Sequence, residues 1–333
     1  MIKKMTKSNE SVIFMLIVLL VLLCAALSPA FRSMNTVFNM VRAMMITSIL
    51  AISSLLISIV GGLDLSFMAI ASFSMYSVVQ IFTTIAPGAP VWLMFLVGIA
   101  IGVVLGLVNA FFVIVTKMPI FIVTLATQFI FSGACLAFVG TAYLQVPQSM
   151  VDLSTSNLLS IADGTGGQVG INLSILFVAA LYIGIHFLLT YTKFGRSLYA
   201  MGGDIDAARR VGIDVSRNMV LVFALAGGIA AIAGVLNGSL LRLAVPGDLV
   251  GGELTVIAAV ILGGANSSLG KGTVHGTFLG VALITLISNS LNLLKIPSFW
   301  QEAVLGAVII LGTVFSSLSA RPEKKTKQAR MEA

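Results

Sequence analysis

The sequence predicts an all-α, polytopic membrane protein of about ten transmembrane helices. Composition is the first reason. Of 333 residues, 58% are apolar and 9% are charged, and mean hydropathy is +1.09. Soluble domains carry about 25% charged residues, so there are too few polar groups here to coat a globule in water. The second reason is run length: a helix needs about 20 apolar residues to cross the hydrocarbon core, and stretches 11–31, 43–62, 65–116, 118–151 and 218–241 hold no charge. The third is an asymmetric placement of Lys and Arg around those stretches. Soluble enzymes and disordered or fibrous chains are excluded by the same composition.

In chain order, spans are placed near 11–30, 43–61, 65–84, 91–115, 119–140, 171–192, 218–241, 253–269, 275–294 and 303–319. The first follows Lys3, Lys4 and Lys7 and exceeds a signal-peptide core, so it is read as a retained helix. The longest connections, 141–170 and 193–217, are too short for a second domain, so residues 1–333 form one transmembrane unit. Lys+Arg 19 against Asp+Glu 12 gives a net charge of +7. With both termini inside, only Arg32, Arg42, Arg242 and Lys295 fall on the outer side. The excess is therefore read as topology, not as a nucleic-acid surface.

The outer connection 141–170 is Gly/Ser-rich (Asp163-Gly-Thr-Gly-Gly-Gln168) and reads as a surface loop. The inner connection 193–217 reads differently. Asp204 can cap a helix, Ile205, Ala208 and Val211 follow at helical spacing, and Gly212 is placed to stop it after about two turns. Four-residue ridges of small residues (Gly98, Gly102 and Gly106; Ala226, Ala230, Gly234 and Gly238; Gly276 and Gly280) read as helix-packing surfaces. Spans two to five and seven to ten run in opposite senses, as an inverted repeat requires.

Gly61-Gly-Leu-Asp64-Leu-Ser66 interrupts two spans. An ionisable group at membrane depth is costly and often functional, and Asp64 also fits as an N-cap of the third span. Glu253 opens the eighth span, where a helix N-terminus favours an anion. Asn109, Gln128, Asn266 and Asn289 are amides in or near spans, suited to interhelical bonding. With Asp64, Ser66 and Glu253 they are the candidates for a hydrophilic substrate path. Gly264 and Gly270-Lys271 imitate a phosphate-binding loop but miss its spacing, and Gly272 stands where Ser or Thr belongs. Cys24 and Cys135 read as buried thiols, and His186 and His275 as isolated structural residues. No catalytic constellation and no metal set can be assembled, so an enzyme is not expected.

Gly61-Gly-Leu-Asp-Leu-Ser66 resembles a signature of ribose-type ABC transporter permeases, importers of monosaccharides and of the furanose-like signal autoinducer-2. Phe194-Gly-Arg-Ser-Leu-Tyr-Ala-Met-Gly-Gly203, continued by Ala207-Ala-Arg-Arg-Val-Gly-Ile213, is similar to that family's cytoplasmic-loop motif, and Glu253 to Gly264 to its third motif. Phe67-Met68 depart from the family's smaller residues after Ser66. The resemblance implies a type II ABC-importer-like permease subunit in the bacterial inner membrane. It would pair with a second copy or a homologous permease, with cytoplasmic ABC ATPase subunits and with a periplasmic or lipid-anchored sugar-binding protein. ATP and Mg would be bound on the ATPase, with no cofactor on this chain. Residues 204–213 would be its coupling helix, with Gly203, Asp204, Ala207, Ala208, Arg209, Gly212 and Ile213 as contacts. The alternatives are a permease for nucleosides or branched-chain amino acids, and an ion-coupled secondary transporter working through Asp64.

Overall fold

Helices dominate the computed structural model, which describes residues 9–162, 168–297, 300–301, 303–308 and 310. They are α1 (Asn9–Leu27), α2 (Met34–Ile59), α3 (Phe67–Thr84), α4 (Val91–Thr116), α5 (Ile120–Ala134), α6 (Gln148–Thr155), α7 (Ser174–Tyr191), α8 (Lys193–Gly203), α9 (Ile205–Arg210), α10 (Val215–Leu241), α11 (Glu253–Leu262) and α12 (Val274–Leu293). A π-helical turn, Cys135–Val139, extends α5. Among the described residues, α2, α3, α4, α5 with its extension, α7, α10 and α12 are long and apolar enough to cross a bilayer. The chain is thus a multi-pass, all-α membrane protein. The tenth expected span falls partly outside the described residues, of which 303–308 are helical.

Local chemistry sets the boundaries. α4, α5 and α6 each begin directly after a proline, Pro90, Pro119 and Pro147, whose fixed φ suits a helix entry and whose missing N–H costs nothing there. Ser33 caps α2 by accepting from Thr36 N–H, so α2 begins nine residues before the apolar run from 43 suggests, and Arg42 lies inside it. The eighth span is the main difference from the sequence reading. α11 ends at Leu262, and Gly264 at φ +94° turns the chain. The Gly264 N–H donates to the Ile261 carbonyl and Ala265 N–H to the Val260 carbonyl, a Schellman ending that needs a left-handed residue. Ten residues rise about 15 Å, half the hydrocarbon thickness. Hydropathy counts apolar residues through 262 but is blind to this turn.

α10 is the central post. Its small residues let α4 approach to backbone contact: a Cβ on Gly102 would overlap the Gly227 carbonyl, and one on Gly106 the Phe223 carbonyl. On another side, a Cβ on Gly234 would overlap the Ala71 carbonyl of α3. Such ridges associate helices in lipid, where the hydrophobic effect offers no drive between them. α2 and α3 complete the buried centre with Ile49, Ile52, Leu55, Leu56, Phe67 and Ile70. α4, α5 and α7 instead expose Trp92, Phe111, Phe129, Ile130, Ile183 and Phe187, the outward apolar surface a lipid-facing layer needs.

The 141–170 connection is more ordered than a loop. α6 buries Met150, β1 (Leu144–Gln145) pairs with β4 (Leu243–Ala244), and β2 (Asn157–Ala162) pairs antiparallel with β3 (Gln168–Asn172). The glycine-rich stretch 163–167 that signalled a loop lies outside the described residues. Its flanks pair Leu159 with Ile171 and Ile161 with Val169 in antiparallel register.

Candidate functional site

Three clusters contain most of the residues singled out in the sequence. The first is built on the turn between α2 and α3. Asp64, 2% exposed, accepts from the Ser66 N–H and the Ser66 hydroxyl through one oxygen, both at 2.7 Å. Asn109 of α4 donates to that hydroxyl at 2.7 Å, and Thr124 of α5 accepts from the Leu65 N–H at 3.2 Å. Asp64 is therefore not the N-cap of α3, a place taken by Ser66 with no side-chain cap bond. It is the hub of a buried polar joint between the α2–α3 turn, α4 and α5. Thr124 gave no signal in the sequence, since only the fold brings it to Leu65.

The second cluster lies at the start of the half-length helix α11. Glu253, 5% exposed, accepts from Gln128 of α5 at 2.9 Å and from the Gly251 N–H at 3.0 and 3.1 Å. Nearby, Ser72 of α3 accepts from the Leu249 N–H and Asn237 of α10 donates to Asp248 at 3.1 Å. The 248–253 segment thus faces polar groups from α3, α5 and α10 at once. Two carboxylates, two amides and a hydroxyl, from the 248–253 segment and from α5, α10 and α3, offer the mixed donors and acceptors that hydrogen-bond hydroxyl groups.

Two expected path residues belong to neither cluster. Asn266 is exposed in the turn after α11, where its backbone bonds Lys271 in both directions. It lies at the opposite end of α11 from Glu253. Asn289 turns back on its own helix, donating to the Thr285 carbonyl. A helical amide with a carbonyl four residues earlier can satisfy itself without crossing to a neighbour, so amide character alone does not mark a path.

The third cluster is the pair of consecutive helices α8 and α9. Thr192 caps α8 through the Gly195 N–H. The chain then bends at Asp204, whose carboxylate accepts from the Asp206 and Ala207 N–H groups, both at 2.9 Å. Those bonds hold the Asp204 carboxyl below the usual aspartate range, the Ala207 N–H contributing most. Gly212, at φ +85°, ends α9, with its N–H on the Arg209 carbonyl and Ile213 N–H on the Ala208 carbonyl. The expected cap and stop are both where the sequence put them. Ala208 is buried, so it anchors α9 to the bundle, whereas Val211, expected at the same helical spacing, is 75% exposed beside Arg209 and Arg210. Arg209 pairs with Asp206 at 3.5 Å on this open face.

His186 of α7 and His275 of α12 are not isolated. Their rings stand 4.7 Å apart between centroids, a pairing across 89 positions that no local pattern announces. Among the described residues no group of three or more His, Cys, Asp or Glu is placed to hold a metal. Cys24 and Cys135 are free and buried.

Residues 36–313 match the family model described as branched-chain amino acid transport system / permease component. The chain is 34% identical over 301 residues to the ribose import permease protein RbsC of Bacillus subtilis (strain 168), covering 90% of each chain. It is 32% identical over 329 residues to the probable ABC transporter permease protein YphD of Escherichia coli (strain K12), covering 96% of this chain and 93% of that one. Over 366 aligned residues it is 29% identical to the xylose transport system permease protein XylH of Haemophilus influenzae, with 92% and 96% covered. No solved structure matches significantly.

Proposed function

The chain belongs to the family of branched-chain amino acid transport system permease components, and from that premise we propose that it is the permease subunit of an ATP-driven importer of a small sugar. The carrying observation is its end-to-end likeness to ribose and xylose permeases. The α8–α9 pair, read as a lever, supports it: an exposed α9 with two arginines and Val211 at its tip offers a docking surface, and Gly272 follows Lys271 where a nucleotide loop has Ser or Thr. ATP and Mg then belong to cytoplasmic ATPase subunits seated on α9. A second permease and a binding protein outside the bacterial inner membrane complete the assembly. Both termini lie in the cytoplasm, on the side where charge asymmetry puts α8 and α9.

In this reading, ATP binding moves α9, and the bundle reopens its path past Gln128, Glu253, Ser72 and Asn237. Those groups hydrogen-bond hydroxyls without demanding a charged ligand. Asp64, Ser66 and Asn109 brace the path and do not line it.

The test is reconstitution of the assembled importer in vesicles. Ribose or xylose stimulates ATP turnover and enters the vesicles. Arg209→Glu reduces both by about tenfold or more, because like charge at a docking surface costs several kcal/mol. Stimulation by leucine and not by either pentose favours the second reading, an amino-acid permease, which the family's own description supports. Uptake that persists without ATP and collapses with an ionophore refutes the proposal.

A further inference from the structure

The end of the bundle that carries the lever contains a second feature, a junction of three glycines from three separate elements. Gly61 closes α2 at φ +97°. Its own N–H reaches the Ser58 carbonyl and the Gly62 N–H the Ile57 carbonyl. Gly202 belongs to the last turn of α8. Gly270, at φ +56°, lies in the turn between α11 and α12. A Cβ on Gly202 would overlap the Ile59 carbonyl and stand 2.7 Å from the Gly270 Cα. A Cβ on Gly270 would overlap the Gly202 carbonyl carbon and stand 2.6 Å from the Gly203 nitrogen. A Cβ on Gly61 would lie 3.6 Å from the Gly202 Cα and 3.5 Å from the Ser267 carbonyl oxygen. Three backbones therefore touch with no side chain between them. One turn back along α8, the Tyr199 hydroxyl donates to the Gly272 carbonyl at 2.8 Å. α8 is thus tied to the α11–α12 turn at two points.

The turn is in turn fused to its helices. A Cβ on Gly263 would overlap the Gly276 carbonyl, and one on Gly280 the Ala259 carbonyl, so α11 and α12 pack backbone to backbone. Close-packed interiors transmit displacement with little compression. The far end of α11, about 15 Å away, holds Glu253 against Gln128 of α5.

We infer that the Gly61–Gly202–Gly270 junction transmits the lever's movement to the α11–α12 hairpin and so makes and breaks the Gln128–Glu253 contact. Gly202, Gly270 and Tyr199 are positioning residues: they touch neither nucleotide nor solute. The inference rests on the proposal that the ATPase drives α9.

The assembled importer in vesicles tests it by the ratio of sugar taken up to ATP hydrolysed. Gly202→Ala lowers that ratio about tenfold, a common size for coupling between sites, while the ATPase co-purifies as before and ATP turnover continues. Tyr199→Phe removes one hydrogen bond and only the hydroxyl group with it, and lowers the ratio about threefold. Gly184→Ala on α7, where a Cβ meets nothing within 4 Å, leaves it unchanged. An unchanged ratio in Gly202→Ala overturns the inference. If that variant fails to reach the membrane, an unchanged ratio in Tyr199→Phe does so. Failure of the underlying proposal reads differently: Arg209→Glu then retains both its ATPase and its turnover.

Discussion

Asp64 and Glu253 are both carboxylates buried in an apolar bundle, yet they are held in opposite ways. Asp64 sits where a turn and two helices meet, and its oxygen takes two donors from Ser66, whose hydroxyl is held in turn by Asn109. Every member of that chain is at most 2% exposed. Glu253 sits at the free end of a ten-residue helix. One half-buried amide, Gln128, reaches it from another helix, and its remaining bonds come from Gly251 two residues away. A buried charge in a membrane marks a functional site by default. The contrast shows that its support decides which kind. A carboxylate tied to fully buried donors of its own turn braces the fold, whereas one with a single side-chain partner on another helix is placed to gate.

The largest effect expected from this contrast is loss of the protein itself. Asp64→Ala strips the buried Ser66 N–H and hydroxyl of their acceptor, a cost of about 3 kcal/mol for two orphaned donors. The amount of permease in the membrane falls several-fold and its thermal unfolding midpoint in detergent drops, while Asp64→Asn, which keeps an acceptor, recovers most of both. A variant Asp64→Ala that accumulates normally and fails only in transport would place Asp64 with Glu253 and erase the distinction.

Glu253→Gln comes next and should do the reverse. The protein accumulates and unfolds as the unaltered chain does, and sugar uptake per ATP falls about tenfold. Gln128→Leu has a similar effect, and the double variant is no worse than either alone, as partners in one contact require. Additive losses would mean that the two side chains act separately.

How much of this could be read from the sequence follows from the range of each interaction. Asp204 and Gly212 were legible as cap and stop because a cap needs only the next three residues and a stop only one φ angle. The small-residue ridges were legible because four-residue spacing is itself the packing surface. The span at 253–269 was misjudged because apolar content continues past the point where Gly264 turns the chain. The Gln128–Glu253 bond joins positions 125 apart, and the His186–His275 pair and the Gly61–Gly202–Gly270 junction are also products of topology. Asn266 and Asn289 illustrate the converse: the sequence ranked both with Gln128, but the fold leaves Asn266 exposed in a turn and turns the Asn289 amide back on its own helix.

Asp204 extends the comparison into water and carries the smallest effect. Its carboxylate accepts from the N–H two residues on, as Asp64 does, and also from the Ala207 N–H, but the side chain is fully exposed. The Ala207 N–H, helped by the Asp206 N–H and Arg210, lowers its pKa from the ordinary 3.8. A carboxyl with a folded pKa below its unfolded value adds stability above the unfolded value and loses it as pH falls through the folded one. Protection of the Ala207 amide from hydrogen exchange, corrected for intrinsic rates, should therefore hold from pH 7 down to about pH 4 and decline below it. Asp204→Asn keeps an acceptor oxygen and flattens that profile, and Asp204→Ala lowers protection at every pH. Protection that declines between pH 7 and 5 would mean that a group other than Asp204 holds the bend, and the shared turn geometry of Asp64 and Asp204 would then be a coincidence of backbone shape.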